Sequence, residues 1–153
     1  MIKDYGQDCV IAKTLEIIGE RWTMLIVRDL FLGKKTYTEF QLSLKGISPN
    51  LLVERLKDLE GAGLIERKIL TTRPPRVEYL LTKKGMGLGK VLSSMLEWGS
   101  KNFGGDLSSA GLYHRACGHE VELVYHCDHC QRKLMMSELD AKRNLASQSE
   151  MPN

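Results

Sequence analysis

Two pairs of metal-binding residue types stand close together in the last third of the chain: His114 with Cys117, and Cys127 with Cys130. Two residues separate the members of each pair, a spacing that lets one tight turn aim two side chains at one metal ion. Three thiolates and an imidazole suit tetrahedral Zn²⁺, and four protein ligands make a closed site, structural rather than catalytic. Between the pairs, residues 120–125 alternate like a strand. Residues 105–153 are therefore expected to form a zinc-ribbon-like module with a tail. Gly118 follows Cys117 where such a knuckle often needs glycine, whereas Gln131 stands at the matching place after Cys130. His119 is an alternative fourth ligand, and His126 and His129 are further candidates. A redox pair at Cys127 and Cys130, or unpaired surface thiols, are the other readings; no βαβ pattern surrounds them to favour a thioredoxin-like pair. About forty residues build little core unaided, so a metal would also hold this module folded.

A second set of residues suits a polyanion. Residues 67–90 carry Arg67, Lys68, Arg73, Arg76, Lys83, Lys84 and Lys90 against Glu78 alone. Residues 1–104 hold 17 basic and 12 acidic residues, a net of +5, while residues 105–153 hold 5 and 7, a net of −2. A field of that sign attracts nucleic acid, although an isolated charge run is also what a solvated surface looks like. The setting of these charges decides between the two.

The elements that would position them follow from periodicity and punctuation. Residues 9–22 carry an amphipathic helix ending near Gly19. Thr23 is expected to cap a nearly all-apolar core helix, Met24–Phe31, closed by Gly33. Thr36 and Glu39 have capping-box spacing at the start of a short helix whose Phe40, Leu42 and Leu44 are expected to face inward, ending at Gly46. Ser48 and Pro49 open a fourth helix, with Leu51, Leu52, Leu56 and Leu59 as its apolar stripe. The period then changes: 64–70 and 76–81 read as strands around a basic turn, 71–75. Thr82 caps a long helix of about 83–103, whose four glycines blur its ends. A linker follows at Gly104 and Gly105.

Helix, helix, short helix, helix, hairpin, long helix is the order of a winged helix-turn-helix, so the fold class is mainly α with a β-hairpin wing, joined to the small Cys/His module. In such a fold the fourth helix, about Ser48–Ala62, enters the major groove. Ser48, Asn50, Glu54, Arg55 and Lys57 are its polar groups; Asn can pair with adenine and Arg with guanine. The wing, Thr71–Arg76, would set Arg73 and Arg76 on the minor groove or backbone. Thr36, Tyr37 and Thr38, at the start of the preceding helix, would bond phosphates. Each alone also fits a cap or a solvated charge; together they point to double-stranded DNA.

The runs TLEIIGERWTMLIVRDL (14–30), YTEF (37–40), GISPNLLVERLKDLEGAGLI (46–65) and RPPRVEYLLTKKG (73–85) resemble the HxlR-type winged-helix transcription factors, relatives of the MarR-like regulators. The resemblance covers roughly residues 8–103. It implies a bacterial or archaeal homodimeric regulator, dimerised through the segments 9–19 and 83–103. Members of the family also carry a cysteine just before the first helix, in some cases an oxidant sensor, and this places Cys9 as a possible redox thiol. A helix N-terminus would favour its thiolate, while Asp4 and Asp8 would disfavour it. A small buried residue at the dimer interface is the other reading. Tails of the H-x2-C, C-x2-C kind appear after the winged helix in some members.

At 153 residues and 17.3 kDa the chain has room for one domain and an appendage. No apolar run approaches the roughly 18–20 residues of a membrane span. No signal-peptide pattern precedes residue 9, so the expectation is a cytoplasmic protein whose four cysteines are not two disulfides. An enzyme would need an open metal site, a Ser/His/Asp set or a phosphate loop, none of which is seen, and a winged-helix adaptor that does not touch DNA is the remaining competitor. A small-molecule or redox effector is compatible with the pattern, but no polar set marks its pocket.

Overall fold

The structure is a computed structural model that describes residues 4–73, 75–104 and 111–140. It divides into two compact units, Met1–Ala110 and Gly111–Asn153. Residue 105 of the expected linker, and the tail beyond 140, lie outside the described residues.

The first unit runs α1 (Val10–Ile18), α2 (Thr23–Phe31), α3 (Tyr37–Ser43), α4 (Pro49–Gly61), β1 (Ile65–Thr72), β2 (Pro75–Leu81), α5 (Lys83–Met86) and α6 (Gly89–Asn102). Its core gathers Ile18, the Ile26, Val27 and Leu30 face of α2, Phe40 and Leu44 of α3, and the Leu52, Leu56 and Leu59 stripe of α4. Leu64 and Ile65 at the root of the hairpin close it. Phe40 is fully buried. Truncating such a residue to alanine typically costs about 3–5 kcal/mol.

Local signals and tertiary packing disagree at three places. Thr23 is not the cap of α2: it is the first helical residue and is buried, and Trp22 takes the cap position in a left-handed conformation (φ 78°) with no capping side chain. Packing the Trp22 ring against the core outweighs a cap there. Leu42 is not inward-facing. Phe40 and Leu44 are four residues apart and share the buried face, so Leu42, about 200° round the helix from Phe40, is 74% exposed. The long C-terminal helix is two helices, α5 and α6, parted at Gly87 and Leu88, where glycine weakens the helix most. Thr82 caps α5 as expected, accepting from the Gly85 amide at 3.1 Å.

The hairpin is longer than its sequence suggests. β1 and β2 pair antiparallel from Ile65 opposite Leu81 to Thr72 opposite Pro75, with a bulge between Ile69 and Thr71. Thr71, Thr72 and Pro75 are thus strand rather than loop, and Arg73 sits at the turn. The Tyr79 amide donates to the Lys35 carbonyl (2.7 Å), anchoring the hairpin to the segment before α3.

The second unit is slight. Its only paired strands among the described residues are β3 (Tyr125–Cys127) and β4 (Arg132–Leu134), followed by a 3₁₀ turn, Met136–Glu138. The alternating stretch 120–125 forms no ladder of its own; a single bridge joins Tyr113 and Glu120, and only Tyr125 enters a strand. No helix among the described residues is long and apolar enough to cross a membrane.

Candidate nucleic-acid interface

The turn between α3 and α4 sets the interface. Gly46 holds φ +96°, a conformation nearly closed to other residues, and brings the chain round so that α4 can start at Pro49. Ser48 caps α4, accepting from the Leu51 amide at 3.3 Å, so its hydroxyl already serves the helix end. Thr36 and Glu39 form the expected capping box on α3. The Thr36 hydroxyl donates to Glu39 Oε2 at 2.7 Å, and the amides of Lys35 and Thr36 donate at 3.0 and 2.8 Å. These bonds, the Thr36 hydroxyl foremost, hold the Glu39 carboxyl down at about 2, with the Arg76 charge adding to them. Tyr37 is half-buried, and its hydroxyl donates to the Pro49 carbonyl at 3.3 Å, tying α3 to α4. Thr36 and Tyr37 therefore position the pair, while Thr38 is exposed.

The outer face of α4 carries Asn50, Val53, Glu54 and Lys57, all exposed. Their i, i+3, i+4, i+7 spacing puts them on one stripe opposite the leucines. Glu54 is an acid on that face; one of its oxygens accepts from Arg55 Nη1 at 3.1 Å, and among base-edge groups a carboxylate suits the amine of cytosine. Val53 and the exposed Lys45 in the turn were not singled out from sequence. Val53 sits three residues after Asn50 and four before Lys57, and its methyl groups suit a thymine methyl; that spacing was the available signal.

Arg55 is not with them. It is 7% exposed, and its guanidinium is bonded to Asp58 at 2.8 Å, Glu54 at 3.1 Å and Glu20 at 3.1 Å. Three carboxylates drawn round one buried cation hold it on the inner side of α4, so the expectation that it faces a base is not met.

At the wing, Arg73 and Arg76 are both exposed, close to the turn. Lys68 is opposite Glu78 and Arg67 opposite Tyr79 on the strands. Lys84 is committed elsewhere: its ammonium donates to the Ala62 carbonyl at 2.7 Å, closing the C-terminal end of α4.

The expected metal ligands form two separate turns. In the first, the Gly118 amide donates to the His114 carbonyl at 2.8 Å, and His114 Nδ1 lies 3.1 Å from Cys117 Sγ. In the second, the Cys130 amide donates to Cys127 Sγ at 3.4 Å. That bond leads the causes that lower the Cys127 pKa, while a side-chain hydrogen bond between the two sulfurs is the foremost cause that raises that of Cys130. Among the described residues no three His, Cys, Asp or Glu side chains converge as a metal site would require. His119 gives its carbonyl to the His114 amide at 2.8 Å; His126 pairs with Asp128 at 3.2 Å, and His129 Nδ1 lies 3.8 Å from Cys130 Sγ. Cys9 is exposed on extended backbone just before α1, and an open cleft of about 370 Å³ beside α1 is lined by Asp4, Tyr5, Leu15, Glu16, Gly19 and Glu20.

Residues 17–106 match the family model described as HxlR-like helix-turn-helix. The uncharacterized HTH-type transcriptional regulator YdeP of Bacillus subtilis is 37% identical over 102 residues, 64% of this chain and 80% of that one. The crystal structure of PA1607 superposes with a TM-score of 0.78 at 32% identity, covering 91% of this chain and 97% of that one. The redox regulator HypR in its oxidized form superposes with a TM-score of 0.59 at 33% identity, covering 63% of this chain and all of its own (100%).

Proposed function

The chain belongs to the HxlR-like helix-turn-helix family and is a DNA-binding transcriptional regulator, and from that premise we propose that it reads DNA as a cytoplasmic homodimer, with the segment 48–62 in the major groove and the wing 71–76 on the minor groove or backbone. The family regulates transcription and is not one of enzymes. The observation that carries the reading is the exposed stripe Asn50, Val53, Lys57 on α4, together with exposed Arg73 and Arg76 at the hairpin.

In this reading Asn50 offers an amide pair to adenine and Val53 a methyl contact to thymine. Lys57, Arg73, Arg76 and Thr38 bind phosphates, which fix register without carrying sequence information. Thr36, Tyr37 and Ser48 act by holding the two helices in place.

Support for the dimer comes from apolar surface that one chain leaves uncovered. Val10, Ile11 and Leu15 of α1 and Val91, Met95 and Trp98 of α6 are exposed, and α6 buries no residue. Exposed apolar helix faces of that kind mark an interface. Two copies would read half-sites about 34–36 Å apart, one turn of the duplex.

The Cys/His unit is read as a structural Zn²⁺ module with His114, Cys117, Cys127 and Cys130 as ligands. The donor set fits zinc, each pair lies in a tight turn, and the backbone favours the Cys127 thiolate. When bound, the metal would supply the cross-link between the two turns that the short strands do not.

Redox control through Cys9 is a second reading, favoured by its exposure and by the likeness to HypR. A Cys9→Ser chain that responds to oxidant as the wild type does would remove it.

The test of the regulator reading is nuclease protection of the gene's own upstream region. Two protected half-sites one helical turn apart are expected; no protection at any protein concentration contradicts the reading.

A further inference from the structure

The corner between α1 and α2 touches the helix pair at two points. At the first, Glu20 Oε2 accepts from Arg55 Nη2 at 3.1 Å, across 35 residues of sequence. The other two carboxylates on Arg55, from Glu54 and Asp58, belong to α4 itself, so the Glu20 bond is the one that leaves the helix. At the second, the Trp22 ring lies beside Gly46: a Cβ built there would be 3.9 Å from the Trp22 ring. Trp22 reaches that place from a left-handed backbone (φ 78°), a genuine outlier for a bulky side chain that surrounding contacts must hold. One short corner thus contacts both the turn that aims α4 and the middle of α4.

Resting on the reading of α4 as the DNA-reading helix, we infer that Glu20 and Arg55 are positioning residues for sequence recognition. Neither touches DNA. Their ion pair fixes the angle at which α4 leaves the core, and so decides whether Asn50 and Val53 meet base edges together. A partly buried ion pair is poor at adding stability, because desolvation offsets the attraction, and its value lies in fixing geometry. Electrostatics sharpens the point. Glu20 carries a negative charge, so on charge alone its removal should strengthen binding to any duplex.

The experiment compares binding of the full chain to two duplexes of equal length: the protected upstream sequence and a scrambled version. Glu20→Gln removes the charge with little change of shape and leaves Arg55 bonded to Glu54 and Asp58. The expected result is a fall of about tenfold in the ratio of specific to non-specific affinity, the scale of one mismatched base pair, with non-specific binding unchanged or tighter. An unchanged ratio, or tighter binding to both duplexes alike, overturns the inference. Arg55→Lys is the second variant. It keeps the charge but not the fork, and it should lower the same ratio with no change in the salt dependence of non-specific binding. A fall in affinity for both duplexes by the same factor, with their ratio unchanged, would mean that the Arg55 fork contacts the phosphate backbone, and would overturn the positioning role. If Arg55→Lys does not fold, the Glu20→Gln ratio decides alone. A wild-type chain that binds both duplexes equally contradicts the reading of α4 itself, and is distinct from a wild type that discriminates and a variant that does so equally well.

Discussion

Gly118 and Gln131 hold the same left-handed backbone conformation, φ 71° and φ 51°, each one residue after the last cysteine of its pair. In the first turn glycine adopts it without steric cost. In the second a glutamine does so, its side-chain amide donating to the Asp128 carbonyl two residues before Cys130. Two turns of unrelated sequence thus share a backbone conformation that orients a ligand pair.

That equivalence leads to a metal measurement. Purified protein is expected to carry one zinc per chain, and Cys117→Ser or Cys127→Ser to lose it. His114→Ala should lose it as well, while His119→Ala should retain it, because the Nδ1 of His114 is already 3.1 Å from Cys117 Sγ. Substantially less than one zinc in protein never exposed to chelator contradicts the zinc reading; the reverse pattern for the two histidines moves the fourth ligand to His119.

The capping box of α3 gives a pH dependence whose sign is fixed. Glu39 titrates at about 2 rather than at its ordinary 4.5 because its ionised form accepts three hydrogen bonds. A folded-state value below the unfolded one means that the stabilisation is fully present above pH 4.5 and is lost as pH falls towards 2. Thermal melts of wild type and Glu39→Gln should therefore differ near neutral pH and converge as pH falls through that window. Curves that stay parallel down to pH 2 would contradict the assignment.

The dimer reading predicts the effect of a charge on α6. Trp98 is 62% exposed on a helix with no fully buried residue, whose Leu92 packs against the core. Trp98→Glu should leave the fold intact and weaken self-association by about 2 kcal/mol or more, roughly thirtyfold in the dissociation constant. Light scattering at micromolar concentration should then show monomer where the wild type shows dimer. A variant that stays dimeric places the interface elsewhere.

The helix pair and the wing were legible because their signals are local. Thr36 with Glu39, Ser48 with Pro49, and the change of period after Gly63 each lie within a few residues of the structure they specify. Arg55 was not legible: beside Leu56 it looks like any solvated arginine, and the Glu20 that draws it inward is 35 residues away. Trp22 and Thr23 misled for a related reason, since burial of the ring overrides a cap preference that is worth only about 1 kcal/mol. The break between α5 and α6 was half visible in its glycines, and their number did not say which of them would interrupt the helix. In the Cys/His unit the turns could be read from spacing, but a strand pattern at 120–125 did not become a ladder: among the described residues no neighbouring strand pairs with it along its length.

The account stands most directly on the salt dependence of DNA binding. Each phosphate neutralised contributes a slope of about −0.9 to the log of affinity against the log of salt concentration. A dimer using Lys57, Arg73 and Arg76 on each half-site should make about six such contacts and lose on the order of 10³ in affinity for its upstream region between about 50 and 200 mM salt. Arg76→Ala should bind more weakly, with a shallower slope, by about one unit for each copy that contacts the duplex. A flat salt response of the wild type, or an Arg76→Ala chain that binds with the same affinity and slope, would contradict the claim that the wing and α4 hold DNA.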